Sequence, residues 1–167
     1  MNIRPANLKD TYTLATLHID SWKSAYKGLV PDEFLAQLDY TMRADRFRES
    51  LKQSREETYV AEIDGELVGF LILGLCRDED LDHKVYGEIW GIYLAHEHWR
   101  KGIGTSLCRF GENLLKERGF DSVVLWVFAG NPRARRFYKA MGYQPDGASK
   151  ILNPGKPLKA VRYRKEL

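Results

Sequence analysis

The 167 residues allow one ordinary globular domain, long enough to bury about 70% of its unfolded surface without disulfide or metal staples. Hydrophobic residues at 44% and charged residues at 29% exclude a disordered or fibrous chain. The excess of 26 Lys+Arg over 23 Asp+Glu is too weak to call for a nucleic acid or an anionic membrane as partner. The longest apolar run, Val68 to Cys76, is about nine residues and too short to span a bilayer. Met1-Asn2-Ile3-Arg4-Pro5 has no apolar leader, and Cys76 and Cys108 form neither a CxxC site nor a disulfide framework. The expectation is one cytoplasmic domain over residues 1–167.

In chain order, Asn2-Ile3-Arg4 is a short strand candidate. Asn7 can cap a helix in which Leu14, Leu17, Trp22 and Ala25 follow helical spacing, and Gly28 stops it. Pro31 opens a short segment with Phe34, Leu35 and Leu38. Thr41 is the candidate cap of another helix, with Met42, Phe47 and Leu51 inward and Arg43, Arg46, Lys52 and Arg55 outward. The character then changes: Thr58 to Ile63 alternates as a strand, Asp64-Gly65 is a hairpin turn, and Leu67 to Cys76 returns as its partner. An acidic loop, Arg77 to Lys84, leads to a strand from Val85 to Leu94. Gly102 to Arg118 reads as an amphipathic helix with Gly119 beyond its end. Asp121 to Phe128 is β-rich, Pro132 to Met141 is helical with Gly142 as its stop, and two final strands fall near Tyr143 and from Lys159 to Lys165. This order gives an α/β (α+β) domain: a mixed, mostly antiparallel sheet flanked by helices, with one parallel crossover between the 85–94 and 121–128 strands.

The most informative stretch is Glu88-Ile-Trp-Gly-Ile-Tyr-Leu94 followed by Trp99-Arg-Lys-Gly-Ile-Gly-Thr105. A strand ends, and two glycines one residue apart open a helix, so free N-terminal N–H groups converge on one spot. With the helix dipole and with Arg100 and Lys101 alongside, that spot suits a diphosphate or another anion. The alternative is a tight strand-to-helix turn with a solvated basic pair. A dinucleotide fingerprint fails at Leu107, where a third glycine is needed, and a P-loop fails because the only Gly-Lys, Gly155-Lys156, is followed by Pro157. Asp78-x-Asp80-x-Asp82 begins like a calcium loop but carries His83 and Ile89 where glycine and glutamate are required. Runs at Arg133, Arg135 and Arg136, and at Arg162 and Arg164, read as solvated faces, although the first can also attract a phosphate. No metal site is expected.

Lys101-Gly-Ile-Gly-Thr105 after a strand, then Asn131-Pro-Arg-Ala-Arg-Arg-Phe-Tyr-Lys-Ala-Met-Gly-Tyr143, resembles the two cofactor motifs of the GNAT superfamily of N-acetyltransferases. The order of elements agrees with that fold along the whole chain. The resemblance implies acetyl-CoA as cofactor, with its pyrophosphate on the backbone N–H groups of Arg100, Lys101, Gly102, Ile103, Gly104 and Thr105. It implies that Ile92, Tyr93 and Leu94 pair with the pantetheine like an added strand, that Asn131 bonds the cofactor arm, and that the Tyr138 hydroxyl lies near the thioester sulfur. One departure is Trp99, which stands where the family often has Arg or Gln. Trp22-x3-Tyr26-x-Gly28-x2-Pro31 resembles a subgroup with some members similar to polyamine acetyltransferases.

Acetyl transfer needs a neutral amine, a stabilised oxyanion and a protonated leaving thiolate. At pH 7 roughly one lysine-like amine in 2,500 is neutral, so a base near the acceptor is useful. Glu88, 14 residues before Gly102, is the candidate; the alternative is a paired or solvated charge at a strand start. Strict alternation puts Glu88, Trp90 and Ile92 on one strand face. Tyr138 is the candidate general acid, or else an aromatic packing beside Phe137. Backbone N–H groups near Ile92 to Leu94 would meet the oxyanion. Trp22 and Tyr26, at i and i+4, and Trp90 are expected around the acceptor, with core packing as the alternative for the first two. The acidic loop can draw in a cationic amine or simply be solvated. The expected partner is a small-molecule or peptide amine, with a homodimer as an option and no nucleic acid or membrane. Other readings are a protein N-terminal or lysine acetyltransferase and a non-catalytic acyl-CoA sensor.

Overall fold

The computed structural model describes residues 1–53 and 56–167. Its strands are β1 (Asn2–Pro5), β2 (Glu57–Ile63), β3 (Glu66–Leu75), β4 (Tyr86–Leu94), β5 (Ser122–Phe128), β6 (Gln144–Leu152) and β7 (Leu158–Glu166). Its helices are α1 (Thr11–Ala25), α2 (Asp32–Ala36), α3 (Tyr40–Gln53), α4 (Ile103–Glu117) and α5 (Pro132–Ala140). The strands form one sheet in the order β1-β2-β3-β4-β5-β7-β6, antiparallel throughout except for the parallel β4–β5 pair. The expected mixed, mostly antiparallel sheet with helices on its faces is thus observed. α4 and α5 cover one face, where Leu107, Cys108 and Leu115 pack on Leu71, Leu73, Ile89, Val123 and Leu125. α1 and α3 cover the other, with Leu14, Ala15 and Phe47 against Val60 and Phe70.

Local chemistry accounts for most element ends. Asn7 and Asp10 make a reciprocal capping box around a 3-10 turn that runs into α1. Asp64 and Gly65 both take positive φ, as the tight β2–β3 turn requires. α3 is capped by Asp39, which accepts from the Met42 N–H at 2.7 Å, rather than by Thr41. Its inward stripe is Ala44, Phe47 and Leu51, so Met42 lies off that stripe at 61% exposed and Arg43 is half-buried. Arg55, expected on the outward face, lies outside the described residues. β6 is longer than the strand expected near Tyr143: the β signal is diluted by Pro145 and Gly147, where its pairing with β7 shifts register.

Two irregularities shape the sheet centre. β4 and β5 pair only from Tyr86–Ser122 to Glu88–Val124, and beyond that point the strands part. On its other edge β4 pairs Ile89 with Leu73 and Gly91 with Ile72, so Trp90 is an extra residue without a partner on β3. This bulge resets the alternation. Glu88 stays off the α4 face while Ile92 and Leu94 pack against the core under α4, which corrects the expectation that Glu88, Trp90 and Ile92 share one face.

Candidate active site

The parting of β4 from β5 opens a cavity of about 740 Å³ that runs between the two faces of the sheet. Ile92, Tyr93 and Leu94 line one side, Trp126, Val127 and Phe128 the other. Gly91 permits the close packing here: a Cβ at this position would lie 2.5 Å from the Tyr93 ring.

At one end stands the turn into α4. Gly102 is the N-cap residue with φ +82°, and α4 has no side-chain cap. Ser106 N–H is the first to bond back, to the Gly102 carbonyl, so the N–H groups of Ile103, Gly104 and Thr105 are left at the helix start without intrahelical acceptors. Arg100 holds a left-handed backbone at φ +61°. Arg100, Gly102, Gly104 and Thr105 line the cavity. Lys101 is exposed, and the Ile103 side chain turns into the core, so the latter offers only its N–H. The Trp99 indole donates to the Leu94 carbonyl at 3.2 Å, and the Arg133 guanidinium stacks on its ring at 3.7 Å. Burial and the Arg100 charge both lower the Arg133 pKa, a mark of cations gathered without a counter-ion. Trp99 therefore does not leave the turn short of a side-chain cation; it carries one in from α5. An uncapped helix start, a residue that must be glycine and two adjacent guanidinium groups fit the pyrophosphate of CoA.

α5 supplies the next groups. Asn131 caps it, accepting from Ala134 N–H at 3.2 Å, which occupies the side-chain oxygen and leaves the amide NH₂ for a ligand. Tyr138 lines the cavity, and its hydroxyl makes no hydrogen bond among the described residues. Burial raises its pKa above the ordinary tyrosine value, so it stays protonated.

The far end lies beneath α1. Trp22, Tyr26 and Trp90 line it, with the Tyr26 ring edge-on to both Trp22 at 4.9 Å and Phe128 at 5.2 Å. Glu88 takes a different place from the one expected of a base. It is 1% exposed and absent from the cavity lining, and its carboxylate accepts from the Arg77 N–H at 2.9 Å, from Nη2 at 2.5 Å and from Nε at 3.2 Å. Arg77, which does line the cavity, stacks on Trp90 at 4.0 Å. Glu88 therefore holds Arg77 in place at the edge of the cavity.

Two of the four carboxylates of the acidic loop are tied into an ion-pair cluster. Asp78, Asp80 and Asp146 all bind Arg162, which is 5% exposed rather than solvated. Arg135 is likewise structural, donating to the Tyr163 hydroxyl and the Ala129 carbonyl. Sequence reasoning missed Arg77, Trp126 and Lys150 as cavity residues. Each is brought in by the parting of the strands or by long-range pairing, and no local motif marks them.

A cleft that joins an uncapped helix start to an aromatic chamber through a split parallel pair defines a transferase using an acyl-CoA. The chain belongs to the acetyltransferase (GNAT) family, which it matches over residues 20–143. It is 33% identical over 147 residues to the uncharacterized N-acetyltransferase YuaI of Bacillus subtilis, covering 87% of this chain and 80% of that protein. It is 24% identical to a spermidine N(1)-acetyltransferase of Thermoplasma acidophilum, covering 91% of this chain and 95% of that one. Among solved structures, the PaiA N-acetyltransferase of Thermoplasma acidophilum in complex with coenzyme A matches with a TM-score of 0.76 at 22% identity, over 99% of this chain and 98% of that chain. The protein is an acetyl-CoA-dependent N-acetyltransferase. No helix among the described residues is long and apolar enough to cross a membrane.

Proposed function

We propose that residues 1–167 act as one domain that acetylates a primary amine of a small molecule or short peptide by direct attack, with amine and cofactor held together in the cleft. The observation that carries this reading is the continuity of the cavity: the α4 turn, the Tyr138 hydroxyl and the Trp22–Tyr26 wall all border one space. Neither cysteine lines it, and burial pushes the Cys108 thiol up to about 12, which speaks against an acetyl-cysteine relay. The spermidine N(1)-acetyltransferase relative supports a small amine.

Acetyl-CoA supplies the acetyl group as a thioester. The N–H groups of Ile103, Gly104 and Thr105, with Arg100 and Arg133, hold the anionic end. The edge of β4 left open by β5 aligns the arm, and backbone N–H groups near Ile92 to Leu94 stabilise negative charge on the carbonyl oxygen. The Tyr138 O–H donates its proton to the leaving sulfur, and burial keeps that proton in place until then. Glu88, one residue behind the lining on Arg77, is the nearest carboxylate to take the amine's proton, by way of a water.

The test is thiol release from acetyl-CoA across amino acids, polyamines, aminoglycosides and N-terminal peptides, with CoA binding followed in parallel by calorimetry. Turnover with a primary amine is expected. CoA binding with no release from any amine would make the protein a sensor and end this reading.

A further inference from the structure

We infer that the Tyr93 hydroxyl receives an N–H of the attacking amine and so selects primary over secondary amines; this deepens the transferase reading above and rests on it. Alignment of the cofactor arm along β4 uses only the Tyr93 backbone, which leaves its side chain for another task.

The ring is held on two sides. It stacks on Phe70, its partner across β3, at 4.9 Å and 27°, and the His18 ring of α1 lies 4.6 Å away. It runs back along its own strand to Gly91, where an added Cβ would stand 2.5 Å from the ring and 2.7 Å from the hydroxyl oxygen. Gly91 follows the Trp90 bulge, just beyond the last β4–β5 pair at Glu88. The hydroxyl is therefore fixed at the place where the strands part, and both Tyr93 and Gly91 line the cavity.

Nothing in the protein engages this hydroxyl: it makes no hydrogen bond among the described residues. The indole N–H of Trp22, which lines the same chamber, is buried and equally without a partner. A polar group held rigidly and left unpaired is costly unless a ligand meets it. Burial raises the Tyr93 pKa above the ordinary tyrosine value, so the group stays a neutral phenol whose oxygen accepts a hydrogen bond. Tyr138 packs with the core under α4 and α5, and Tyr93 packs with the core under α1 and α3. The two phenols thus reach the cleft from opposite faces of the sheet, one for the sulfur and one for the amine.

Bond counting sets the selectivity. A neutral primary amine has two N–H bonds. As its nitrogen attacks, the N–C bond forms, the C–S bond breaks, and the sulfur takes the Tyr138 proton. One amine proton leaves through water towards Glu88, and the other stays on the amide nitrogen, resting on the Tyr93 oxygen throughout. A secondary amine has only the proton it must lose. Its second carbon substituent would meet the hydroxyl instead and leave the oxygen unpaired.

The experiment takes the primary amine of the panel that is turned over fastest and compares it with its N-methyl form. In the wild type kcat/KM is expected to favour the primary amine by about tenfold or more. Tyr93→Phe should narrow that ratio about three- to tenfold by slowing the primary amine, with CoA affinity in calorimetry changed less than about twofold. Tyr26→Phe removes another phenol hydroxyl of the same chamber and should move the ratio less than about twofold. Because the Tyr93 hydroxyl has no protein partner, Tyr93→Phe should melt no more than about 3 °C below the wild type, a readout that needs no turnover. A wild type that takes both amines alike, a ratio that survives Tyr93→Phe, an equal loss for both amines, a narrowing confined to Tyr26→Phe, or a larger fall in melting temperature overturns the inference and leaves the transferase reading standing. No release from any amine, with CoA bound, overturns both.

Discussion

At the turn end of the cleft the groups facing a ligand are backbone amides; at the acceptor end they are side chains drawn from four separate segments. Ile103, Gly104 and Thr105 offer N–H groups that one strand, one turn and one helix place in sequence order. Arg77, Trp90, Trp126 and Lys150 come from the β3–β4 loop, β4, β5 and β6, and ion pairs fix their surroundings. A backbone-built site is indifferent to most side-chain changes and depends on a single φ. A side-chain-built site can be rewritten for a new acceptor without touching cofactor binding, but it depends on a buried charge network remaining whole.

The sharpest break in that contrast is Gly102→Glu. It puts a β-carbon on a φ of +82° and a carboxylate into the anion cradle, and it is expected to abolish acetyl-CoA binding in calorimetry. At the other end the corresponding break is Arg162→Ala, which leaves Asp78 and Asp146 facing each other without their cation. Urea unfolding should show a loss of about 3–5 kcal/mol, whereas a surface arginine would cost under about 1 kcal/mol.

Tyr138→Phe acts between the two ends. Turnover should fall about a hundredfold while acetyl-CoA affinity changes less than about twofold, because only the proton donor is removed. Since burial raises the Tyr138 pKa, the wild-type rate should show no alkaline decline from this group up to pH 10.

The smallest effect concerns the floor of the acceptor end, where His18 lies 6% exposed among Trp22, Phe47, Phe70 and Tyr93. Burial first, then Arg43, lowers its pKa to about 3, against an ordinary 6.5. Between those values the unfolded chain binds one more proton than the folded one, so stability drops as pH falls below about 6.5. About 2 kcal/mol should be lost between pH 7 and pH 5, and His18→Phe should flatten that slope in denaturant titrations at the two pH values.

The same contrast explains what could be read from the amino-acid order alone. The turn end was legible because strand, glycines, helix and the Asn131–Tyr143 motif are local patterns with local physical causes. Trp22 and Tyr26 were legible as one helix face. The charged part of the acceptor end was not. A single extra residue at Trp90 undid the alternation that linked Glu88 to Ile92, and nothing in the local spacing announces a bulge. Arg77 lay in what read as an acidic loop, and Arg162 looked solvated because its partners Asp78 and Asp80 are 84 and 82 positions away. Lys150 lies on an edge strand whose proline and glycine hid its length.

The most direct test of the two-ended cleft is an amide-resolved NMR titration of the ¹⁵N-labelled protein with CoA. The account predicts that the largest shift changes fall at Ile103, Gly104 and Thr105, continuing into Ile92 and Tyr93, with Arg77 and Lys150 changing least among the cavity residues. Largest changes at Arg77 and Lys150, with the α4 turn unmoved, would contradict it.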